Sequence, residues 1–265
     1  MRIVVCVKQV PDTNEVRIDQ ATGTLIREGV PSIINPDDKN ALEAALQLKD
    51  QNENVEVVVL CMGPAQAKEA IKEALAMGAD RAVLLSDRAF AGSDTWATST
   101  ILAAAVAKIG DFDVVLCGRQ AIDGDTAQVG PQIAEHLDLP QVTYVQNIAK
   151  NGDKLRVERA LEDGHYVLDV EMPVVLTAIK ELNEPRYPSV SGIYNYFDDS
   201  ERPEILMWNV NDIDVDMTQI GLKGSPTKVN KSFVPTQKFE GERLEGSAKE
   251  AVRKLIVRLH ERQLV

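Results

Sequence analysis

The sequence is poor in the residues and signatures that usually announce a chemistry. It holds three cysteines, Cys6, Cys61 and Cys117, too far apart for a disulfide framework or a CxxC metal knuckle. Each lies in or at the end of an apolar run. They read as reduced packing residues, or as positions whose backbones line a site at strand ends. His136, His165 and His260 are scattered without metal-ligand spacing. A GxSxG elbow, an HExxH helix and a Cys–His pairing are all missing, so hydrolytic chemistry lacks its groups. No GxGxxG follows the first strand, where Lys8-Gln9-Val10-Pro11-Asp12 stands instead, and no GxxxxGK[ST] marks a P-loop. Basic side chains are outnumbered, 29 against 41 acidic, for a formal net charge of -12. That balance excludes general affinity for nucleic acid or anionic membrane, which needs clustered Lys and Arg. No apolar run reaches the roughly 18 residues of a spanning helix, so no membrane insertion is expected. The opening Met1 to Val7 is apolar but too short for a signal peptide and reads as a first strand, so a cytoplasmic location is expected.

What remains is a regular alternation. A chain of 265 residues with 44% hydrophobic content can bury one large core, or a main domain with an added arm. Ile3 to Val7, Val55 to Cys61, Ala82 to Leu85 and Val114 to Cys117 are continuous apolar runs, the pattern of parallel strands covered on both faces. Helical stretches separate them. Pro36 to Asp50 has Asn35 as cap, Pro64 to Met77 is stopped by Gly78, and a third runs from Ser93 to Lys108. The fold class is therefore α/β, a doubly wound, mostly parallel sheet of Rossmann-like α/β/α type. Val142 to Ile148, Leu155 to Ala160, Tyr166 to Val170 and Val174 to Ile179 read as an antiparallel extension of that sheet. Asn183 to Trp208, polar and holding Pro185, Pro188 and Pro203, reads as an exposed loop. Residues 1–222 form the α/β domain. Residues 223–265 form an arm ending in a helix with Ala251, Leu255 and Leu259 in register, which asks for a partner chain.

The stretch with chemical content follows the fourth strand: Gly118, Arg119, Gln120, Ala121, Ile122, Asp123, Gly124, Asp125, Thr126, Ala127, Gln128, Val129, Gly130, Pro131. It lies at the carboxyl edge of a parallel sheet, where such folds bind ligands. Asp125 with Gln128 fits a capping arrangement, and amides at that helix start, with the Thr126 hydroxyl, suit a pyrophosphate. Gly124 and Gly130 permit a close ligand approach. An ordinary strand–helix turn fits the spacing equally well. A cofactor loop without an evident acid, base or nucleophile points to redox work carried by the cofactor.

Several stretches together resemble the beta subunit of electron-transferring flavoproteins. They are Val5 to Asp12, Asn35-Pro36-Asp37-Asp38, Met62-Gly63-Pro64, Ala74 to Arg81, Gly118 through Pro131, and Leu182-Asn183-Glu184-Pro185-Arg186-Tyr187. They span the chain in the family's order. The resemblance implies an adenine-nucleotide site at Cys6, at Asn35, Pro36, Asp37 and Asp38, at Met62, and along Gly118 to Val129. In simpler members this site holds AMP and the redox FAD sits on the larger alpha subunit. Asp123 to Pro131 and Ala91 to Ser99 are similar instead to the electron-bifurcating group. There the beta subunit holds a second FAD that accepts hydride from NADH. One electron then goes to ferredoxin or flavodoxin, and the other passes through the alpha-subunit FAD to a partner dehydrogenase.

On that resemblance Thr95 and Thr98 contact the flavin; the plainer alternative has Thr95 capping its helix and Thr98 facing solvent. Small Gly124 and Thr126 leave room for a pyrophosphate that acidic residues would repel. Leu182 to Tyr196 matches the family's recognition loop, with Val190 as the hydrophobic anchor for a flavin-dependent dehydrogenase such as an acyl-CoA dehydrogenase. Mitochondrial members follow this loop with a Lys cluster, whereas Asn195 to Glu201 here is acidic. Two other functions stay open: a non-bifurcating carrier subunit with structural AMP, and a regulatory module that binds ATP or AMP without redox work.

Overall fold

Strand β1 (Arg2–Val7) is buried from Ile3 onward, and its alternation assigns one set of side chains to each face of the sheet. Ile3, Val5 and Val7 join one core with Leu42, Leu46, Ile71 and Val59, while Val4 and Cys6 join a second with Leu60, Ile101, Leu102 and Ile133. Two cores on opposite faces explain why the strands read as unbroken apolar runs. The computed structural model describes residues 1–12, 17–18, 25–26, 32–197, 205–228, 230 and 241–265. Two compact units, Met1–Asn230 and Lys231–Val265, make up the chain.

In the first unit short strands β2 (Gln9–Pro11), β3 (Arg17–Ile18), β4 (Leu25–Ile26) and β5 (Ser32–Ile34) precede helix α1 (Pro36–Gln51). Then come β6 (Glu56–Met62), α2 (Lys68–Met77), β7 (Arg81–Leu85), α3 (Thr95–Ile109), β8 (Val114–Gly118) and α4 (Val129–His136). The remainder is β9 (Gln141–Asn151), β10 (Lys154–Leu161), β11 (Gly164–Glu171), β12 (Val174–Ala178), α5 (Val190–Phe197), β13 (Ile205–Trp208) and α6 (Gly221–Gly224). The nine-stranded sheet has the order β11-β10-β9-β12-β8-β1-β6-β7-β13. The α/β, mostly parallel reading holds.

Two expectations are corrected. The antiparallel part is the β9–β10–β11 meander alone; β12 runs parallel to both β9 and β8 and inserts between them. Its five residues are all buried, a run that fits an interior parallel strand better than a half-exposed edge. Asn183 to Trp208 is not a loop throughout: α5 starts just after Pro188, and β13 adds a parallel edge strand to β7. The prolines punctuate the start of α5 without preventing it; residues 198–204 lie outside the described part.

The second unit contains helix α7 (Ala248–Glu261), started at Ser247, whose amide donates to Glu250 Oε2 at 2.9 Å. Val252, Leu255 and Ile256 on α7 are exposed. Of the arm expected over 223–265, residues 229 and 231–240 lie outside the described part. Among the described residues no helix is long and apolar enough to cross a membrane, and no cluster of His, Cys, Asp and Glu suits a metal ion.

Candidate nucleotide site

The carboxyl ends of β1, β6 and β8 converge on a cavity of about 490 Å³. It sits where β1 and β8 are neighbours although their helices leave on opposite faces, the switch point at which open α/β sheets take ligands. Cys6, Asp38 and Met62 line it from the sheet side, Thr95 and Thr98 from the start of α3, and Gly118, Arg119, Gln120 and Ala121 from the loop leaving β8. Gly124, Thr126, Ala127, Gln128 and Val129 complete the wall. Asn35, Pro36, Asp37, Ile122, Asp123 and Asp125 do not line it, and Val190 lies elsewhere, on α5.

Asn35 and Asp38 show why the start of α1 matters. Asn35 is fully buried, but its side chain does not cap the helix as its position suggested. Its Nδ2 donates to the Gln120 carbonyl at 2.8 Å, and its Oδ1 accepts from the Ile122 amide at 3.0 Å. Asparagine is needed because one side chain must offer both a donor and an acceptor to two peptides of the loop. Asp38 Oδ2 accepts the Lys8 amide at 2.8 Å and Oδ1 the Gly118 amide at 3.0 Å. One buried carboxylate thus ties together the ends of β1 and β8. Burial pushes its pKa up to about 7, against hydrogen bonds from Asn35, Lys8 and Gly118 that lower it. Its neighbour Asp37 is raised by burial and pulled down by Arg119, whose Nε lies 3.4 Å away.

The 119–128 loop differs from the expected cap. Helix α4 begins at Val129 with Gln128 at the cap position, and neither Asp125 nor Gln128 caps it through its side chain. Asp125 and Ala127 take φ of 55° and 52°, left-handed values that keep the chain off a helical path until Gln128. Gln120 Nε2 instead donates to Asp125 Oδ1, and Lys8 Nζ holds both Asp123 oxygens, at 2.6 and 2.8 Å. The acidic side chains of the loop are thereby matched by cation and amide. Gly124 has nothing within 4 Å of an added Cβ, whereas Gly130 is a packing glycine whose Cβ would meet Thr177 Cγ2 at 2.6 Å.

On the opposite wall Asp94, not Thr95, caps α3, accepting the Ala97 amide at 3.0 Å. Thr95 is free to donate across the cavity mouth to Gln128 Oε1 at 2.9 Å. Sequence reasoning missed Lys8, Phe90, Ser93, Asp94 and Leu102 among the lining residues, and reached Cys117 only through the alternative that cysteine backbones line a site at strand ends. Lys8, directly after β1, was within reach of the same strand-end reasoning. Phe90 and Leu102 were not, because their roles depend on how β7 and α3 pack. Ser93 Oγ accepts the Gly221 amide at 3.1 Å, and Asp94 Oδ2 accepts from Thr227 N and Oγ1 at 2.8 and 2.7 Å. The start of α6 and the chain just beyond it therefore brace the rim.

The residues fit a phosphorylated, ring-bearing ligand. Thr95, Thr98 and Thr126 offer hydroxyls, Lys8 and Arg119 cations, and Met62, Phe90 and Leu102 apolar contact. Comparison with known proteins decides the family: the electron transfer flavoprotein domain matches residues 22–212. The chain belongs to the electron transfer flavoprotein beta-subunit family. It is 60% identical over its full length, and that of the relative, to an electron transfer flavoprotein subunit beta of Clostridium acetobutylicum. A subunit of the same description from Thermoanaerobacterium thermosaccharolyticum is 58% identical, again over all of both chains. The caffeyl-CoA reductase-Etf complex subunit CarD of Acetobacterium woodii is 56% identical over both full lengths. Val190, the expected hydrophobic anchor, is 86% exposed on α5, with Tyr187 and Tyr194 also exposed.

Proposed function

We propose that the chain is the beta subunit of a heterodimeric electron transfer flavoprotein of the bifurcating kind, with FAD in the cavity at the ends of β1, β6 and β8. When bound, FAD supplies two-electron chemistry with NADH and one-electron release toward ferredoxin or flavodoxin and, through the alpha-subunit FAD, toward a dehydrogenase. The chain's residues bind and orient it. Backbone amides of the 119–128 loop, with Thr126, hold the pyrophosphate; Asn35 and Asp38 fix that loop and the strand ends from beneath. Lys8 and Arg119 offset negative charge, and Thr95 and Thr98 offer hydroxyls to the flavin ring. The carrying observation is the three-threonine wall: Thr95, Thr98 and Thr126 all face one cavity, and Thr95 spans its mouth to Gln128.

The partners follow from the two exposed apolar surfaces. Val252, Leu255 and Ile256 of α7 suit burial against an alpha subunit, giving 223–265 its role as an arm. Val190 on α5 suits the pocket of a flavin-dependent dehydrogenase, and CarD, named for a CoA-ester reductase complex, favours an acyl-CoA dehydrogenase type. The complex would work in the cytoplasm. Purification with the alpha subunit tests the reading directly. Two FAD per heterodimer and bleaching of flavin absorbance by NADH are expected. One FAD with one AMP, unreduced by NADH, would instead make this the structural, AMP-holding subunit of a simple carrier.

A further inference from the structure

The start of α1 governs the cavity; its middle governs α5. Glu43, with only 4% of its side chain exposed, accepts three N–H groups of one residue. Arg186 N and Nε reach Oε2 at 3.1 and 2.8 Å, and Nη2 reaches Oε1 at 3.0 Å. The same Nη2 donates to Asp50 Oδ2 at 2.6 Å, about two turns further along the helix. Asn40 and Asn183 exchange bonds beside this clamp: Asn40 Nδ2 to the Asn183 carbonyl at 2.7 Å, Asn183 Nδ2 to the Asn40 carbonyl at 3.0 Å. At the far end the Ser189 amide donates to the Ala76 carbonyl at the end of α2. Gly192 lies so close that a Cβ there would stand 2.3 Å from that same oxygen. The chain from Asn183 to Gly192 is therefore fixed at both ends, with Tyr187, Val190 and Tyr194 turned outward.

We infer that Glu43 and Arg186 are positioning residues for docking, setting α5 at a fixed place relative to the cofactor cavity through the shared helix α1. The inference rests on the docking role proposed above for α5. Glu43, at the clamp, follows Asp38, at the cavity, by five residue steps, about 7.5 Å of helix. A planar guanidinium against a buried carboxylate fixes orientation as well as distance, which a lysine point charge does not. Docking onto a pre-set helix avoids the ordering cost of a free segment. Electron transfer then starts from one encounter geometry.

The test uses the alpha–beta heterodimer with an acyl-CoA dehydrogenase as redox partner. Arg186→Ala is expected to raise amide hydrogen exchange over residues 187–197 about tenfold. The KM for the dehydrogenase should also rise about tenfold with kcat within about twofold and flavin content unchanged, because orientation rather than chemistry is lost. Arg186→Lys, which keeps the charge and the fold, should fall between. Val190→Ala should raise KM with wild-type exchange, separating contact from positioning. Wild-type exchange over α5 in both Arg186 variants, or an unchanged KM in Arg186→Ala, overturns the inference. Val190→Ala with an unchanged KM, or a wild-type complex that exchanges no electrons with the dehydrogenase, overturns the docking role itself. The exchange measurement still reads the clamp in that case.

Discussion

Asp38 and Gly118 meet at the cavity floor, the Asp38 Oδ1 accepting the Gly118 amide at 3.0 Å while a Cβ on residue 118 would lie 2.2 Å from that oxygen. The glycine is required by the close approach of α1, whose Asp38 nitrogen and Asp37 carbonyl carbon would also stand 2.6 and 2.7 Å from that Cβ, and not by its own backbone angles, since its φ is not in the left-handed region. Gly118→Ala should therefore destabilise the protein by about 3 kcal/mol or more, through overpacking with loss of a buried hydrogen bond. Urea denaturation would report it as a lower midpoint with an unchanged slope. An alanine variant as stable as wild type would mean that the start of α1 shifts away from β8 at little cost.

The same carboxylate makes stability depend on pH. Its folded pKa is about 7, against an ordinary 3.8, so the folded chain holds the proton more tightly. That stability is present in full below about 3.8 and is lost as pH rises to about 7, an amount on the order of 4 kcal/mol. His136, whose pKa burial lowers, works in the opposite sense over part of the range. The informative quantity is thus the difference between wild type and Asp38→Asn, measured by denaturant melts from pH 4.5 to 8. Asp38→Asn should remove a falling slope, and parallel curves would contradict the assignment.

Thr126→Asp places a carboxylate on the wall assigned to the pyrophosphate. Its charge should weaken cofactor retention about tenfold or more, an effect that high salt reduces. Flavin content after desalting reads it; undiminished content would argue against the loop as the phosphate holder.

Leu255→Asp tests the arm. An aspartate amid Val252 and Ile256 should cost the heterodimer about tenfold or more in affinity, since a desolvated unpaired charge is costly at an interface. The melting of the Met1–Asn230 unit should stay unchanged. Co-purification at wild-type yield would rule out α7 as an alpha-subunit contact.

The parallel sheet was legible because both faces of each strand are covered: Ile3 to Val7 and Val114 to Cys117 carry no polar alternation. The position of β12 was not, because a buried interior strand and one strand of a meander share the same apolar run; only pairing with β8 separates them. The β8 loop was legible from its glycines and its place after a strand. Its conformation was not, since the left-handed turns at Asp125 and Ala127 leave no composition signal. Asn35 is instructive. Asparagine before Pro36 reads as a helix cap by every local rule, yet its amide serves peptides more than 80 residues away. Long-range side-chain bonds of this kind outcompete local ones only once the tertiary structure exists.

The insertion of β12 between β9 and β8 has a consequence for synthesis. A nascent chain that has emerged only as far as the β10–β11 hairpin presents the bare flank of β8, a row of open peptide groups beside an apolar surface. Closing that seam waits for Val174–Ala178, so the late strand stands guard against intermolecular strand capture on the ribosome.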